Sequence, residues 1–176
     1  MDLLLNLLEW SRCQSGRMEF NPEYFEIISL IKDVIKLLND SAQQKSITIF
    51  EKLPHNVPVY ADKAMISTIL RNLISNAIKF TNLGGKVVIS AKQKQNDLIV
   101  TISDDGIGIK KDAIKKLFHI EESFSTIGTL NEKGTGLGLI LCKEFIEKHN
   151  GVVWVESEVG KGSVFHFTLP LRIGIE

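Results

Sequence analysis

Three groups of residues could do chemistry. Between Asp62 and Thr81, Asn72, Asn76 and Lys79 follow one another at steps of four and three, which puts them on one face of a helix. An amide carbonyl is a competent hard-oxygen ligand for Mg²⁺, and a lysine ammonium supplies a point charge to a phosphate. Asparagine is a poor helix former, so two of them in mid-helix want an explanation beyond propensity. A solvated helix face is the plain alternative. Further along, Asp104-Asp105-Gly106-Ile107-Gly108-Ile109 follows a strand-like run. A carboxylate at a strand end can accept a hydrogen bond from an exocyclic amine, and glycines two and four positions later let backbone approach a flat ring. A purely structural turn would use the same residues. Third, Lys133-Gly134-Thr135-Gly136-Leu137-Gly138-Leu139 runs directly into a helical pattern. Alternating glycines expose backbone N–H groups and a helix N-terminus favours negative charge, so this is a phosphate cradle. It lacks the Gly-Lys-Ser/Thr ending of a Walker loop, and no clean Rossmann strand precedes it.

The elements that must position these groups are legible from periodicity. Tyr24 to Ile27 reads as a short strand. Ile31, Val34, Ile35, Leu38 and Ala42 fall at helical spacing, predicting an amphipathic helix to about Gln44. Ile47, Ile49 and Val57, Val59 lie in extended segments on either side of a Pro-containing turn. Asp62 is an N-cap, and the helix it opens carries the apolar stripe Ile66, Ile69, Leu70, Leu73, Ile74, Ala77. Two period-2 runs, Lys86 to Gln93 and Leu98 to Ser103, form a hairpin around Gln95-Asn96-Asp97. A long polar segment, Lys110 to Lys133, separates the two glycine loops. A helix then runs from about Leu137 to Lys148 and closes at Asn150-Gly151. Val152 to Glu156 and Ser163 to Leu169 end the pattern as strands. The expected fold class is α/β, a two-layer sandwich with a mixed sheet of about five strands and helices on one face. Ahead of it, Leu3 to about Ser15 is apolar around most of a helical circumference, as in the tail of a longer, buried or paired helix. The Ser15-Gly16 and Asn21-Pro22 breakers mark a boundary, giving segments 1–20 and 21–176.

Composition narrows the function classes. The 176 residues carry 21 basic and 21 acidic side chains, so a general nucleic-acid or anionic-membrane binder is not expected. Hydrophobic residues at 44% and charged residues at 24% fit a folded domain with a real core. No apolar run is of membrane-spanning length, and the start has no basic leader or cleavage site. Cys13 and Cys142 have no metal or redox spacing and are expected as reduced thiols in a cytoplasmic setting.

The three groups in this order, across about 65 residues, resemble the Bergerat ATP-binding fold of the GHKL family. More specifically the chain is similar to the catalytic ATP-binding domain of a two-component sensor histidine kinase. Arg71 to Thr81 resembles the N box, Ser103 to Ile109 the first glycine box, Gly134 to Leu139 the second, and Gly160 to Pro170 the closing strand signature. The resemblance implies ATP and Mg²⁺ as cofactors. It implies that Asp104 bonds the adenine amine, with Gly106 and Gly108 shaping the pocket and Phe80 bordering the base. Asn76 would be the Mg²⁺ ligand, and Asn72 and Lys79 the catalytic residues facing the phosphates. Gly134, Thr135, Gly136, Leu137 and Gly138 would hold the phosphate tail, with Lys133 as an added cation. The segment between the glycine loops would be the lid, its Phe118 and Phe124 resembling an F box stretched to five intervening residues.

Water-splitting members of the superfamily resemble one another in carrying glutamate where this chain has Asn72. A carboxylate can act as base toward water and an amide cannot, so phosphoryl transfer is expected over hydrolysis. None of His55, His119, His149 or His166 is followed by the acidic residue and proline of a phosphoacceptor helix. The acceptor is therefore expected on the chain's own dimerisation domain, upstream of Met1, with Leu3 to Phe20 resembling the end of that domain's second helix. A response-regulator receiver domain and a homodimeric parent, membrane-anchored or not, complete the implied partners. No nucleic acid and no membrane contact by this segment are expected. A GHKL-type ATPase and a catalytically silent nucleotide-sensing module are the alternatives.

Overall fold

In a computed structural model, residues 19–119, 128–130 and 136–171 are described. The apolar segment expected as a helix over 3–15 lies outside them, as do Lys133, Gly134, Thr135 and Phe124.

The first strand, β1 (Glu23–Glu26), runs without a turn into helix α1 (Ile27–Gln44). The junction is made by Glu26, whose carboxylate accepts from the amides of Ile28 (2.8 Å), Ser29 (2.6 Å) and Val57 (3.0 Å). Burial alone would raise its pKa, but those hydrogen bonds hold it below the ordinary value. β2 (Thr48–Lys52) and β3 (Pro58–Ala61) follow, and they enter different sheets. β3 pairs antiparallel with β1 in a small two-stranded sheet, and Pro58 stands at the first position, where no ladder N–H is needed.

Helix α2 (Lys63–Phe80) begins where expected. Asp62 is its N-cap and accepts from the Met65 amide at 3.0 Å. The hairpin strands β4 (Lys86–Lys94) and β5 (Asp97–Asp104) come next, then a single helical turn α3 (Lys111–Ile114) inside the polar stretch. Helix α4 (Gly138–Lys148), β6 (Val153–Glu158) and β7 (Gly162–Pro170) complete the described elements. α4 closes with Asn150 in the left-handed region (φ 58°). Gly151 is needed for a different reason: a Cβ there would meet the Thr168 carbonyl oxygen at 2.1 Å.

The main sheet is five-stranded in the order β2-β4-β5-β7-β6, parallel between β2 and β4 and antiparallel elsewhere, so the expected mixed sheet is present. Alternate residues of its central strands (Val87, Ile89, Leu98, Val100, Ile102, Phe165, Phe167) are buried against the helices. α2 packs against both α1 and α4 and so occupies the middle of the helical layer. Its stripe of Ile66, Ile69, Leu70, Leu73 and Ile74 is almost wholly inaccessible. That burial fixes the rotation of α2, and its polar stripe must therefore emerge at the rim beside α4. On the sheet's other face His166 stacks on Trp154 at 4.7 Å and bonds Thr101 Oγ1 through Nδ1 at 2.9 Å. No helix among the described residues is long and apolar enough to cross a membrane.

Candidate functional site

Asp104 is the last residue of β5, opposite Ser163 on β7 and Val87 on β4. It is 7% exposed. Its Oδ1 accepts from the Gly106 amide at 2.9 Å and from the Ser163 amide at 3.3 Å. Among the described residues nothing donates to Oδ2, which leaves that oxygen for an incoming amine. Burial raises the pKa to about 6 against the pull of the two amides, and the neighbouring Asp105 charge adds to the rise. The two adjacent aspartates have different work. Asp105 turns outward, and its Oδ1 accepts from the Lys86 amide at 2.8 Å, tying the loop to the start of β4.

The glycines of this loop are demanded by protein backbone. A Cβ on Gly106 would sit 2.1 Å from the Phe80 carbonyl oxygen, and the Ile107 amide donates to that same oxygen at 3.1 Å. Gly108 has φ +70°, and a Cβ there would meet the Glu158 carbonyl oxygen at 2.0 Å. The sequence suggests glycines kept for a flat ring; the structure shows them strapping the loop to the ends of α2 and β6. The closing signature acts on the same carboxylate. Gly162 (φ +93°) has room for no side chain, since its Cβ would lie 1.9 Å from the Asp104 carbonyl oxygen. Ser157 Oγ accepts from the Ile109 amide at 2.8 Å and lies 2.9 Å from Ser163 Oγ. These contacts lock Asp104 from behind.

The amides of α2 are placed differently from one another. Asn72 Nδ2 donates to the Thr68 carbonyl at 3.0 Å, and its Oδ1 faces Gly138, where a Cβ would come within 2.6 Å. Gly138 thus lets the start of α4 close onto Asn72. The side chain of Asn76, one turn on, takes no hydrogen bond among the described residues, and its amide oxygen is available as a ligand. Lys79 Nζ sits 4.9 Å from the centre of the Phe80 ring. Gly136 has φ +72°, and the N-cap of α4 is Leu137, whose apolar side chain makes no capping hydrogen bond to the first turn. The structure therefore brings Gly138 against Asn72 and Gly106 against Phe80, on the helix half that also carries Asn76 and Lys79; Asp104 is held to Gly106, Gly108 lies against the end of β6, and Gly136 and Leu137 lead into Gly138. Lys133, Gly134 and Thr135 lie outside the described residues. Among those residues no group of three or more His, Cys, Asp or Glu could hold a metal by itself.

Four contributors have no marked signal in the sequence: Lys45, Thr129, Ser157 and the buried Thr81, whose Oγ1 bonds the Ala77 carbonyl at 2.7 Å. Only the pairing of Ser163 with Asp104 across the sheet could have singled out Ser157 and Ser163, and that register is not written in spacing.

Residues 61–173 match the family model described as histidine kinase-, DNA gyrase B-, and HSP90-like ATPase. The adaptive-response sensory kinase SasA of Crocosphaera subtropica is 34% identical over 96% of the chain, which spans 44% of that relative's length. Among solved structures, the catalytic domain of histidine kinase ThkA is 31% identical with a TM-score of 0.74, covering 88% of this chain and 97% of that one. Full-length ShkA in complex with AMPPNP is 27% identical with a TM-score of 0.82, covering 98% of this chain and 36% of that one.

Proposed function

The chain belongs to the histidine kinase-, DNA gyrase B- and HSP90-like ATPase family, within it to the catalytic ATP-binding domains of sensor histidine kinases, and we propose that it transfers the γ-phosphoryl group of ATP to a histidine on a separate dimerisation domain. The observation that carries transfer over hydrolysis is Asn72. It stands beside the start of α4, its Nδ2 held by the Thr68 carbonyl, and an amide there cannot take a proton from water.

Each group has a role in positioning and charge, which is most of what phosphoryl transfer requires. Asp104 accepts the adenine amine through Oδ2 while Gly106 and Ser163 hold Oδ1. Asn76 contributes an amide oxygen to Mg²⁺, which when bound neutralises phosphate charge. Lys79 faces the phosphates, Phe80 borders the base, and the amides at the start of α4 receive the phosphate tail, with Lys133, Gly134 and Thr135 extending that cradle. Asn72 keeps α4 and α2 at a fixed spacing. Two of the chain's own histidines are poor acceptors: His149 uses Nε2 on the Asp62 amide (2.9 Å) and Nδ1 on the Phe145 carbonyl (2.7 Å), and His166 is stacked under Trp154. Segment 1–20 is then the end of the second helix of the dimerisation domain, and the phosphoryl group passes on to a response-regulator receiver domain.

The test uses γ-labelled ATP with Mg²⁺ and the chain alone or with a sensor-kinase dimerisation domain added in trans. Acid-labile, alkali-stable label on the added domain, and none on the chain, is expected. Steady ATP turnover without the added domain would favour the ATPase reading instead.

A further inference from the structure

We propose that Lys45 is a positioning residue for the nucleotide site, its ammonium group clamping the segment Gly128–Leu130 to the C-terminal turn of α2. Lys45 ends α1 and is 3% exposed. Lysine is almost never buried to this degree unless its charge is met by several acceptors. Here Nζ donates to the Ile78 and Lys79 carbonyls, both at 2.9 Å, and to Thr129 Oγ1. The two carbonyls belong to the last turn of α2, whose final four C=O groups have no partner within the helix and form the negative end of its dipole.

The rest of that turn is shared out among other segments. The Thr129 amide donates to the Lys79 carbonyl at 3.2 Å, and Thr129 Oγ1 reaches the Thr81 carbonyl at 2.9 Å. The Phe80 carbonyl takes the Ile107 amide of the first glycine loop. The Lys45 carbonyl itself accepts from Gly84 at 2.9 Å, fastening the chain just beyond α2. Four consecutive carbonyls, from Ile78 to Thr81, thus gather Lys45, Thr129 and the loop that follows Asp104. Asn76, Lys79 and Phe80 project from the same turn and a half of helix. Removing the ammonium would strand the Ile78 carbonyl, leave the Lys79 carbonyl to Thr129 alone and take one of the partners of Thr129 Oγ1, and the helix end that carries the ligand-facing side chains would lose part of what fixes its position.

The clamp is a property of the free chain; only its consequence for ligand binding rests on the nucleotide-site reading above. Amide hydrogen exchange is measured on the chain without ligand, for wild type, Lys45→Met, Thr129→Val and Thr129→Ser. In Lys45→Met and Thr129→Val the Thr129 amide should exchange about tenfold faster, the effect of losing one well-placed hydrogen bond, with the β4–β5 amides unchanged. Thr129→Ser, which keeps the hydroxyl, should restore the protection. Affinity for a non-hydrolysable ATP analogue should follow the same order, about tenfold weaker in Thr129→Val and near wild type in Thr129→Ser. If Lys45→Met does not fold, the two Thr129 variants decide alone. Unchanged Thr129 exchange overturns the clamp, and faster exchange with unchanged affinity overturns its positioning role. A wild-type chain that binds no nucleotide would refute the functional reading while the exchange data still decide the clamp.

Discussion

Replacing Asp104 by asparagine should make the free domain more stable and, at once, unable to select adenine. The carboxyl has its pKa raised from 3.8 to about 6, chiefly because burial penalises its charge. The folded state therefore holds the proton more tightly than the unfolded chain, and stability falls as pH rises from 3.8 to about 6. At about 1.4 kcal/mol for each tenfold change in proton affinity, the cost of the ionised carboxylate at neutral pH is roughly 3 kcal/mol. An asparagine carbonyl can accept the Gly106 and Ser163 amides as Oδ1 does, with no charge to desolvate. Above about pH 6 the variant should exceed wild type by roughly 3 kcal/mol, or roughly 6–12 °C in melting temperature. Below about pH 4 the two should converge. Urea unfolding of both proteins across this range reads the difference directly, and other titrating groups cancel in the comparison. A gap that does not change with pH, or a variant less stable at neutral pH, would refute the reasoning. Adenosine binding should be lost in the same variant, since the amide offers a donor where the base also has one.

Gly162→Ala should cost roughly 3–5 kcal/mol, because its Cβ would lie 1.9 Å from the Asp104 carbonyl oxygen in addition to the strain of φ +93°. Gly84→Ala, at φ +76° with open space around it, should cost only about 1 kcal/mol, and chemical denaturation of the pair tests this. Asn76→Ala should raise stability slightly, by about half a kcal/mol from helix propensity, yet abolish the Mg²⁺-dependent part of nucleotide binding in a calorimetric titration. Burial lowers the pKa of His149 despite the Phe145 hydrogen bond and the Asp62 charge, so the fold favours its neutral form and accepts the Asp62 amide. Its contribution to stability is present above the unfolded value of 6.5 and is lost as pH falls below it. His149→Gln should lose part of that decline when denaturant midpoints are followed through the same interval.

The fold was largely legible because its core elements obey one rule each. α2 shows a clean apolar stripe behind an Asp62 cap, and β4 and β5 are β-branched runs with a period of two on either side of Gln95-Asn96, so local pattern places both. The strand at Glu23 to Glu26 was legible within a residue, but nothing in spacing shows that β3 leaves the main sheet to pair with it. Glu26 is an unusual N-cap, recognisable only once Val57 is known to lie beside it. In the site, Asn72, Asn76 and Asp104 were legible from residue type and order. The parts that fix them were not. Ser157 and Gly162 act through strand register, and Lys45 looks like any lysine after a helix until the carbonyls of Ile78 and Lys79 are seen around it. Long-range pairing, unlike local pattern, leaves no trace in neighbouring residues. The glycines of the first loop show the converse: their residue type stands out in the sequence, but the reason that the structure gives for them, the carbonyls of Phe80 and Glu158, does not.

The most direct measurement is a calorimetric titration of the chain with non-hydrolysable ATP and GTP analogues, each with and without Mg²⁺. An adenine site built on Asp104 Oδ2 should bind the ATP analogue, more tightly with Mg²⁺, and discriminate against guanine, whose six-position is an acceptor facing a carboxylate. Equal binding of the two nucleotides, or no binding of either, would contradict the site described here.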